Sequence, residues 1–305
     1  MYKILLSLLF ISFSCYANPS EMPSIKPINS RIDNVVIPDQ PRLDDVTIIV
    51  SSCDKYSEFW RPFGILLFRY WPSLKTYNKH IPIIIISNKK PFSFDRIHIF
   101  NTGEDYGWSK NMLMALAQVK TKYVLYMQED YFLSDPVNEA YLYYLLTKMK
   151  EQDVPYIQLN SGKGESDYPA IKGTEIKGKY DSYRTSLQSA LWNTKIFAWL
   201  IKEDEDAWAF ERNATIRSQG VLNPFLALTA QNDPIKFLNA ANSGYFVRAT
   251  APFLEKEGIV MKNTILPVYE DYKFTNWVRA NFPRIFTFIW APFFRLIDEK
   301  FRNKL

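Results

Sequence analysis

Short apolar runs separated by polar turns punctuate the first half of the chain. Residues 46–50, 81–88 and 96–100 read as strands, the first two rich in Ile and Val. Buried parallel strands show this near-continuous apolar texture. Residues 59–77 read as a helix that starts after Pro62 and is aromatic on its inner face. Ser109 is placed as the N-cap of a further helix, in which Met112, Leu113, Leu116, Ala117 and Val119 recur at helical spacing through Lys120. A fourth apolar run follows at 123–128. Strands alternating with helices predict an α/β fold with a mostly parallel sheet flanked by helices.

Further along, the texture changes. Residues 138–152 carry Tyr141, Leu142, Leu145, Leu146 and Met149 on one helical face, and 156–160 read as a strand. Residues 161–180 are polar and contain Gly162, Gly164, Gly173 and Gly178, the pattern of a mobile hairpin or lid. Residues 187–203 are helical in pattern, and 245–250 and 259–265 read as strands. The chain closes with an aromatic and basic stretch, 274–301, interrupted by Pro283 and Pro292. Such a stretch suits the membrane interface better than a span; the alternative is a C-terminal helix packed on the core with its basic residues snorkelling.

Composition narrows the classes. The chain has 305 residues, 47% of them apolar, which is ample for a core. Its formal charge of +5 fits anionic ligands such as nucleotide diphosphates or lipid head groups and is too small to argue for nucleic acid. With Cys15 in a targeting-like segment, only Cys53 would remain in a processed chain, so neither a disulfide nor a Cys-based metal site is expected. His80 and His98 fall at or inside predicted strands, which disfavours a His-dependent triad. Lys3 followed by an apolar run to Phe13, with Ala17 as a small-residue cleavage position, resembles a secretory signal or an anchor. The secretory pathway or a membrane is therefore the expected location, with association at the cytoplasmic side of a membrane as the alternative. Residues 18–43 carry five Pro and read as an extended linker before a main domain at 44–272; residues 273–305 form the C-terminal extension.

The run at 123–128 ends in Gln128-Glu129-Asp130. Ligands of open α/β sheets gather beyond the carboxyl ends of the strands. Paired hard oxygens there suit Mg²⁺ or Mn²⁺, which in turn suit phosphate. A solvated turn is the other reading of the same pair. Upstream, Gly107-Trp108-Ser109-Lys110-Asn111 forms a loop leading into the predicted helix.

Loop, helix, strand and acidic end in this order resemble the sugar-nucleotide-binding half of GT-A-fold glycosyltransferases, close to the family 2 type. Gly107 to Asn111 matches the loop, and Gln128-Glu129-Asp130 stands where that family carries its DxD-type metal motif, with an amide at the first position. The resemblance implies a GT-A-like, Rossmann-like sheet and a nucleotide-sugar donor. It implies Asp130 as the metal ligand, with Glu129 beside it. Trp208-Ala209-Phe210-Glu211 is similar to the acceptor-side Trp-x-x-Glu element, which makes Glu211 the general base; Arg212 replaces a second acid. The competing reading pairs Glu211 with Arg212 or Arg217 on an amphipathic helix. For the donor, the strand-end loops offer Ser52, Cys53 and Asp54 after the first strand and Asn88 after the second, with Tyr56 available to stack on a base. Trp108, Ser109 and Lys110 would lie nearer the diphosphate or sugar. The resemblance covers roughly residues 46–215.

The expected function is therefore metal-dependent transfer of a sugar to a glycan, lipid or protein acceptor, with inversion. Two alternatives stay open. A nucleotidyltransferase has the same metal and phosphate needs but would favour a Gly-rich first loop, and 51–56 contains no Gly. A non-catalytic, degenerate transferase-fold protein at a membrane would account for Gln128.

Overall fold

The computed structural model describes residues 31–32, 34–161, 164, 166–229, 232–242, 244–261 and 268–269. The signal-like segment, most of the linker and the 274–301 stretch lie outside the described residues. Among those described, no helix is long and apolar enough to cross a membrane.

Nine strands make one sheet: β1 Val46–Ser51, β2 Ile83–Ser87, β3 Ile97–Asn101, β4 Tyr123–Gln128, β5 Tyr156–Ser161, β6 Ser166–Asp167, β7 Thr174–Ile176, β8 Ala190–Asn193 and β9 Phe225–Leu228. Their spatial order is β3-β2-β1-β4-β8-β5-β9-β7-β6. β1 to β4 are mutually parallel. β8 runs antiparallel to both of its neighbours, β4 and β5. β9 resumes the common direction beside β5, and β7 opposes β9. The mostly parallel α/β sheet expected from the sequence is thus present, with a mixed half added beyond β4.

Helices cover both faces. α1 (Ser57–Tyr70) and α3 (Glu139–Glu151) pack on one side; α2 (Trp108–Leu116), α4 (Thr194–Leu200) and α5 (Ala207–Ser218) pack on the other. Successive strand residues point to opposite faces. Ile48 and Val50 accordingly enter the α1/α3 core and Ile49 the α2/α4/α5 core. Tyr123, Leu125 and Met127 of β4 alternate in the same way with Val124 and Tyr126. Both faces being buried is why these strands are apolar throughout. Each such Ile or Leu contributes about 1.5–3 kcal/mol of burial.

Several sequence-based boundaries move. α1 begins at Ser57 and carries Pro62 inside it. Pro62 forgoes a single helical hydrogen bond near the helix start, while Phe59, Trp60 and Phe63 on the same helix are fully buried. α2 begins at Trp108, with Gly107 rather than Ser109 as its N-cap. Gly107 has φ +85°, and a Cβ there would meet no atom within 4 Å, so its requirement for glycine is conformational. Residues 187–203 are not one helix: Ala190–Asn193 is a central strand, and Asn193 Oδ1 then caps α4 by accepting from the N–H groups of Lys195 and Ile196. A short apolar run buried on both faces carries no period that separates strand from helix. The polar 161–180 segment supplies strand β7 and the edge strand β6. In the last stretch, Tyr245–Val247 is a strand as expected, followed by helix α6 (Ala251–Lys256), which the pattern did not reveal. Ile259 to Met261 are not in a strand, and 262–267 lie outside the described residues.

Candidate active site

Where β1 leads to β2 on one side and β4 lies on the other, the sheet has a switch point, and the carboxyl ends of β1 and β4 open into a crevice. Ser51 and Gln128, the last residues of the two strands, are partners across the pair. A cavity of about 530 Å³ sits there. Its walls include Ser51, Ser52 and Cys53 after β1, Gln128 to Tyr131 after β4, Leu187 and Gln188 before β8, and Ala207, Trp208 and Glu211 of α5.

Glu129 and Asp130 are adjacent and both more than nine-tenths buried, at 7% and 8% exposure. They are fixed because the chain turns after β4 and Tyr131–Leu133 pairs antiparallel with Phe237–Asn239. Asp130 Oδ2 accepts from the Ala241 N–H at 3.3 Å, whereas Oδ1 is buried with no partner among the described residues. Burial pushes both carboxyls upward; for Glu129 the neighbouring Asp130 charge adds to this, and the Ser52 hydroxyl opposes it. Two desolvated acids side by side are unfavourable without a cation.

Across the cavity stands Glu211. Asp206 caps α5 by accepting from the Ala209 N–H at 2.6 Å, and Glu211 lies one turn beyond Trp208 on the cavity face. Glu211 Oε1 accepts from the Leu187 N–H at 2.7 Å and from Ser186 Oγ at 3.1 Å. The competing pairing with arginine is not seen. Arg217 forks onto Glu205 at 2.8 and 2.6 Å, and Arg212 is exposed. Glu205 is therefore held in an ion pair.

Of the residues singled out from the sequence, Ser52, Cys53, Trp108, Glu129, Asp130 and Glu211 line this one cavity, as does Tyr56. Burial pushes the Cys53 thiol up to about 11, with the Glu129 and Asp105 charges adding to it. Trp108 Nε1 donates to Ser51 Oγ at 3.1 Å, and its ring packs on Phe210. Four of the expected contacts are elsewhere. The Asp54 carboxylate accepts from Ser87 Oγ and from the N–H groups of Asn88, Lys89 and Lys90, all within 2.8–3.1 Å, and does not line the cavity. Asn88 Oδ1 accepts from the Asp54 N–H at 3.1 Å, so the pair locks the β1 and β2 loops to each other. Ser109 is buried and its Oγ accepts from the Glu205 N–H at 3.2 Å. Lys110 Nζ lies 4.9 Å from the Tyr106 ring centroid and away from the cavity wall.

Sequence reasoning missed part of the wall. Asp105 lines it and ties the loop before α2, accepting from the Gly107 N–H at 3.1 Å and from Asn111 Nδ2 at 2.9 Å. Asn239, Ala241, Asn242 and Gly244 arrive from more than a hundred residues downstream through the short pairing with Tyr131–Leu133, and no local pattern marks them. The wall so assembled holds four carboxylates and, among the described residues, no Lys, Arg or His.

No family model matches the sequence, and no curated protein matches it. Solved structures do. The S. aureus TarS 1–349 complex with UDP has 14% identity and a TM-score of 0.42, over 82% of this chain and 74% of that one. The mannosyltransferase PcManGT from Pyrobaculum calidifontis, in complex with GDP-Man and Mn²⁺, has 12% identity and a TM-score of 0.45, over 68% and 60%. A cytidylyltransferase from Leptospira borgpetersenii has 8% identity and a TM-score of 0.39, over 74% and 99%. At so low an identity and TM-score, none of these likenesses decides a substrate or a reaction for this chain.

Proposed function

We propose that this protein is a metal-dependent glycosyltransferase that moves a sugar from a nucleoside-diphosphate donor to a hydroxyl acceptor on a glycan, lipid or protein. The observation that carries the reading is the buried Glu129–Asp130 pair facing Glu211 across one cavity at the switch point of the sheet. The residues present fit a divalent cation: two adjacent oxygen-rich side chains and an unpartnered, buried Oδ1 on Asp130. Among the described residues no cluster of three or more His, Cys, Asp or Glu forms a closed metal cage. Mg²⁺-type sites commonly use one or two carboxylates and complete their shell with substrate phosphates. Asp130, with Glu129, would hold Mn²⁺ or Mg²⁺, which when bound neutralises charge developing on the leaving diphosphate.

The chain's own residues do the rest. Ser52 and Trp108 bound the donor side, and Trp60 Nε1 fixes Ser52 by donating to its Oγ at 2.7 Å. Glu211 takes the proton from the acceptor hydroxyl. The acceptor oxygen then bonds to the anomeric carbon as the bond to the diphosphate oxygen breaks, giving inversion. Trp208, with 61% of its surface exposed at the rim, offers a face to the acceptor. The signal-like start and the basic, aromatic 274–301 stretch of the sequence support a location at a membrane or in the secretory pathway.

The test is a panel of UDP- and GDP-sugars, scored by thermal shift and by nucleoside diphosphate release, with Mn²⁺ and with chelator. At least one donor should raise the melting temperature by mass action and be turned over only with the metal. Glu211→Gln should keep that donor bound and lower turnover by roughly 10²- to 10⁴-fold. Normal turnover in this variant, or equal turnover in chelator, would sink the respective assignment.

A further inference from the structure

Position 128 is where an acid would extend the Glu129–Asp130 pair, and the chain has an amide there. Gln128 Nε2 donates to the Leu187 carbonyl at 2.9 Å, and the Tyr131 hydroxyl donates to the same oxygen at 3.0 Å. The N–H of that same residue, Leu187, donates to Glu211 Oε1. Residue 187 is therefore gripped by the end of β4 on its carbonyl side and grips Glu211 on its amide side. The neighbouring peptide is anchored too, since the Ser186 carbonyl accepts from the Tyr156 hydroxyl at 3.3 Å. Both hydrogen bonds to the Glu211 carboxylate fall on Oε1; Oε2 has no partner among the described residues.

An ionised carboxylate at 128 could not take Gln128's place. It has only acceptor lone pairs, and would set them against the lone pairs of the Leu187 carbonyl. The amide thus makes a contact that an ionised acid cannot make.

We propose that Gln128 is a positioning residue: through the Leu187 peptide it holds Glu211 with Oε2 turned to the cavity, and it is not a vacated metal ligand. This rests on Glu211 being the base. It gives the departure from an acidic triplet a role within a working site and removes the support that departure lends to a non-catalytic protein.

The test uses the full chain with Gln128→Ala, Gln128→Asp, Gln128→Glu and Glu211→Gln. Amide exchange at residues 186–188, Mn²⁺ affinity, and the pH profile of nucleoside diphosphate release from UDP-GlcNAc and GDP-mannose are measured. Gln128→Ala and Gln128→Asp should speed exchange at 186–188 by about tenfold or more. They should lower turnover with the donor KM unchanged, and Gln128→Asp should not tighten Mn²⁺. Gln128→Glu should loosen 186–188 no less than Gln128→Asp does, and should likewise not tighten Mn²⁺. Unchanged exchange in Gln128→Ala, or Mn²⁺ binding at least tenfold tighter in Gln128→Asp, overturns the proposal. If Glu211→Gln is inactive while Gln128→Ala keeps wild-type turnover and pH profile, Gln128 is not the support of the base. If Glu211→Gln is fully active while the Gln128 variants loosen 186–188, the contact stands and the base assignment falls.

Discussion

Asp54 and Asp130 each follow a parallel strand, β1 and β4, yet their surroundings are opposite. Burial raises the Asp54 carboxyl, but hydrogen bonds from Ser87 Oγ and from the N–H groups of Lys90, Lys89 and Asn88 outweigh it and hold the group below its usual range. Asp130 receives one long N–H contact through Oδ2, has a bare Oδ1, and is pushed upward. The first acid is satisfied by its own loops and belongs to the architecture. The second is left incomplete among the described residues, at the wall of a cavity that can admit a ligand. A strand-end carboxylate becomes a candidate for chemistry when the fold withholds its partners.

The strongest way to break this contrast is to neutralise Asp130. Asp130→Asn should cost roughly 10³-fold or more in transfer, the several kcal/mol expected of lost charge stabilisation at a diphosphate. It should also raise the melting temperature of the metal-free protein at pH 7.5 by a few degrees, because a desolvated carboxyl beside a second acid gives way to a neutral amide. A fall of several degrees in chelator would mean that Asp130 is structural, as Asp54 is. The mirror experiment is Asp54→Ala. Removing a carboxylate with four hydrogen-bond donors should lower the unfolding free energy by about 2 kcal/mol in urea titrations, with Mn²⁺ affinity unchanged in the folded protein. A loss below about 0.5 kcal/mol would erase the distinction from that side.

A buried cation extends the comparison. Lys177 is 5% exposed and donates to Gln158 Oε1 at 2.6 Å. Burial lowers its ammonium to about 8 from 10.5, with Asp181 and Glu211 pulling it back. Between these two values the unfolded chain binds more protons than the folded one, so stability should rise with pH across that window. Lys177→Met should flatten the rise by about 1–3 kcal/mol, read as the difference between urea titrations of the two proteins at pH 7.5 and pH 10. Parallel curves would show that Lys177 keeps its charge in the fold. The smallest effect belongs to the rim. Trp208→Ala should leave stability within about 0.5 kcal/mol and raise the acceptor KM about 3- to 10-fold, the 0.5–1.5 kcal/mol of one aromatic contact, while donor hydrolysis is unchanged. An equal loss in hydrolysis would move Trp208 to the donor side.

The same contrast explains what could be read from the sequence. β1, β2 and β4 were legible because burial on both faces makes them almost wholly apolar, and the acids after β4 stand out against that run. Glu211, singled out by the resemblance of Trp208 to Glu211 to a Trp-x-x-Glu element, lines the cavity from α5. The placements of Asp54, Asn88, Ser109 and Lys110 were not, because a polar residue reads the same whether its hydrogen bonds go to a ligand or to a neighbouring loop. β8 and β9 were hidden by their brevity: a four-residue apolar run has no period to count. The cavity wall at 239–244 depends on a pairing between distant segments, Tyr131–Leu133 and Phe237–Asn239, that neither one announces alone.

Because β8 is antiparallel, it meets the cavity with its beginning rather than its end. β5 leaves the sheet at the rim where β8 enters, and Gln158 and Ala190 are partners across the two strands. The chain returns from β7 to β8 through a single excursion, of which residues 179–183 are the exposed or half-buried part. Its closure entropy is nearly indifferent to length, growing by only about 0.6 kcal/mol per doubling. The molecule thus keeps at 179–183 a short stretch that evolution, or an engineer, can lengthen or exchange without re-registering β6 and β7, provided that residues 186–188 still return to hold Glu211.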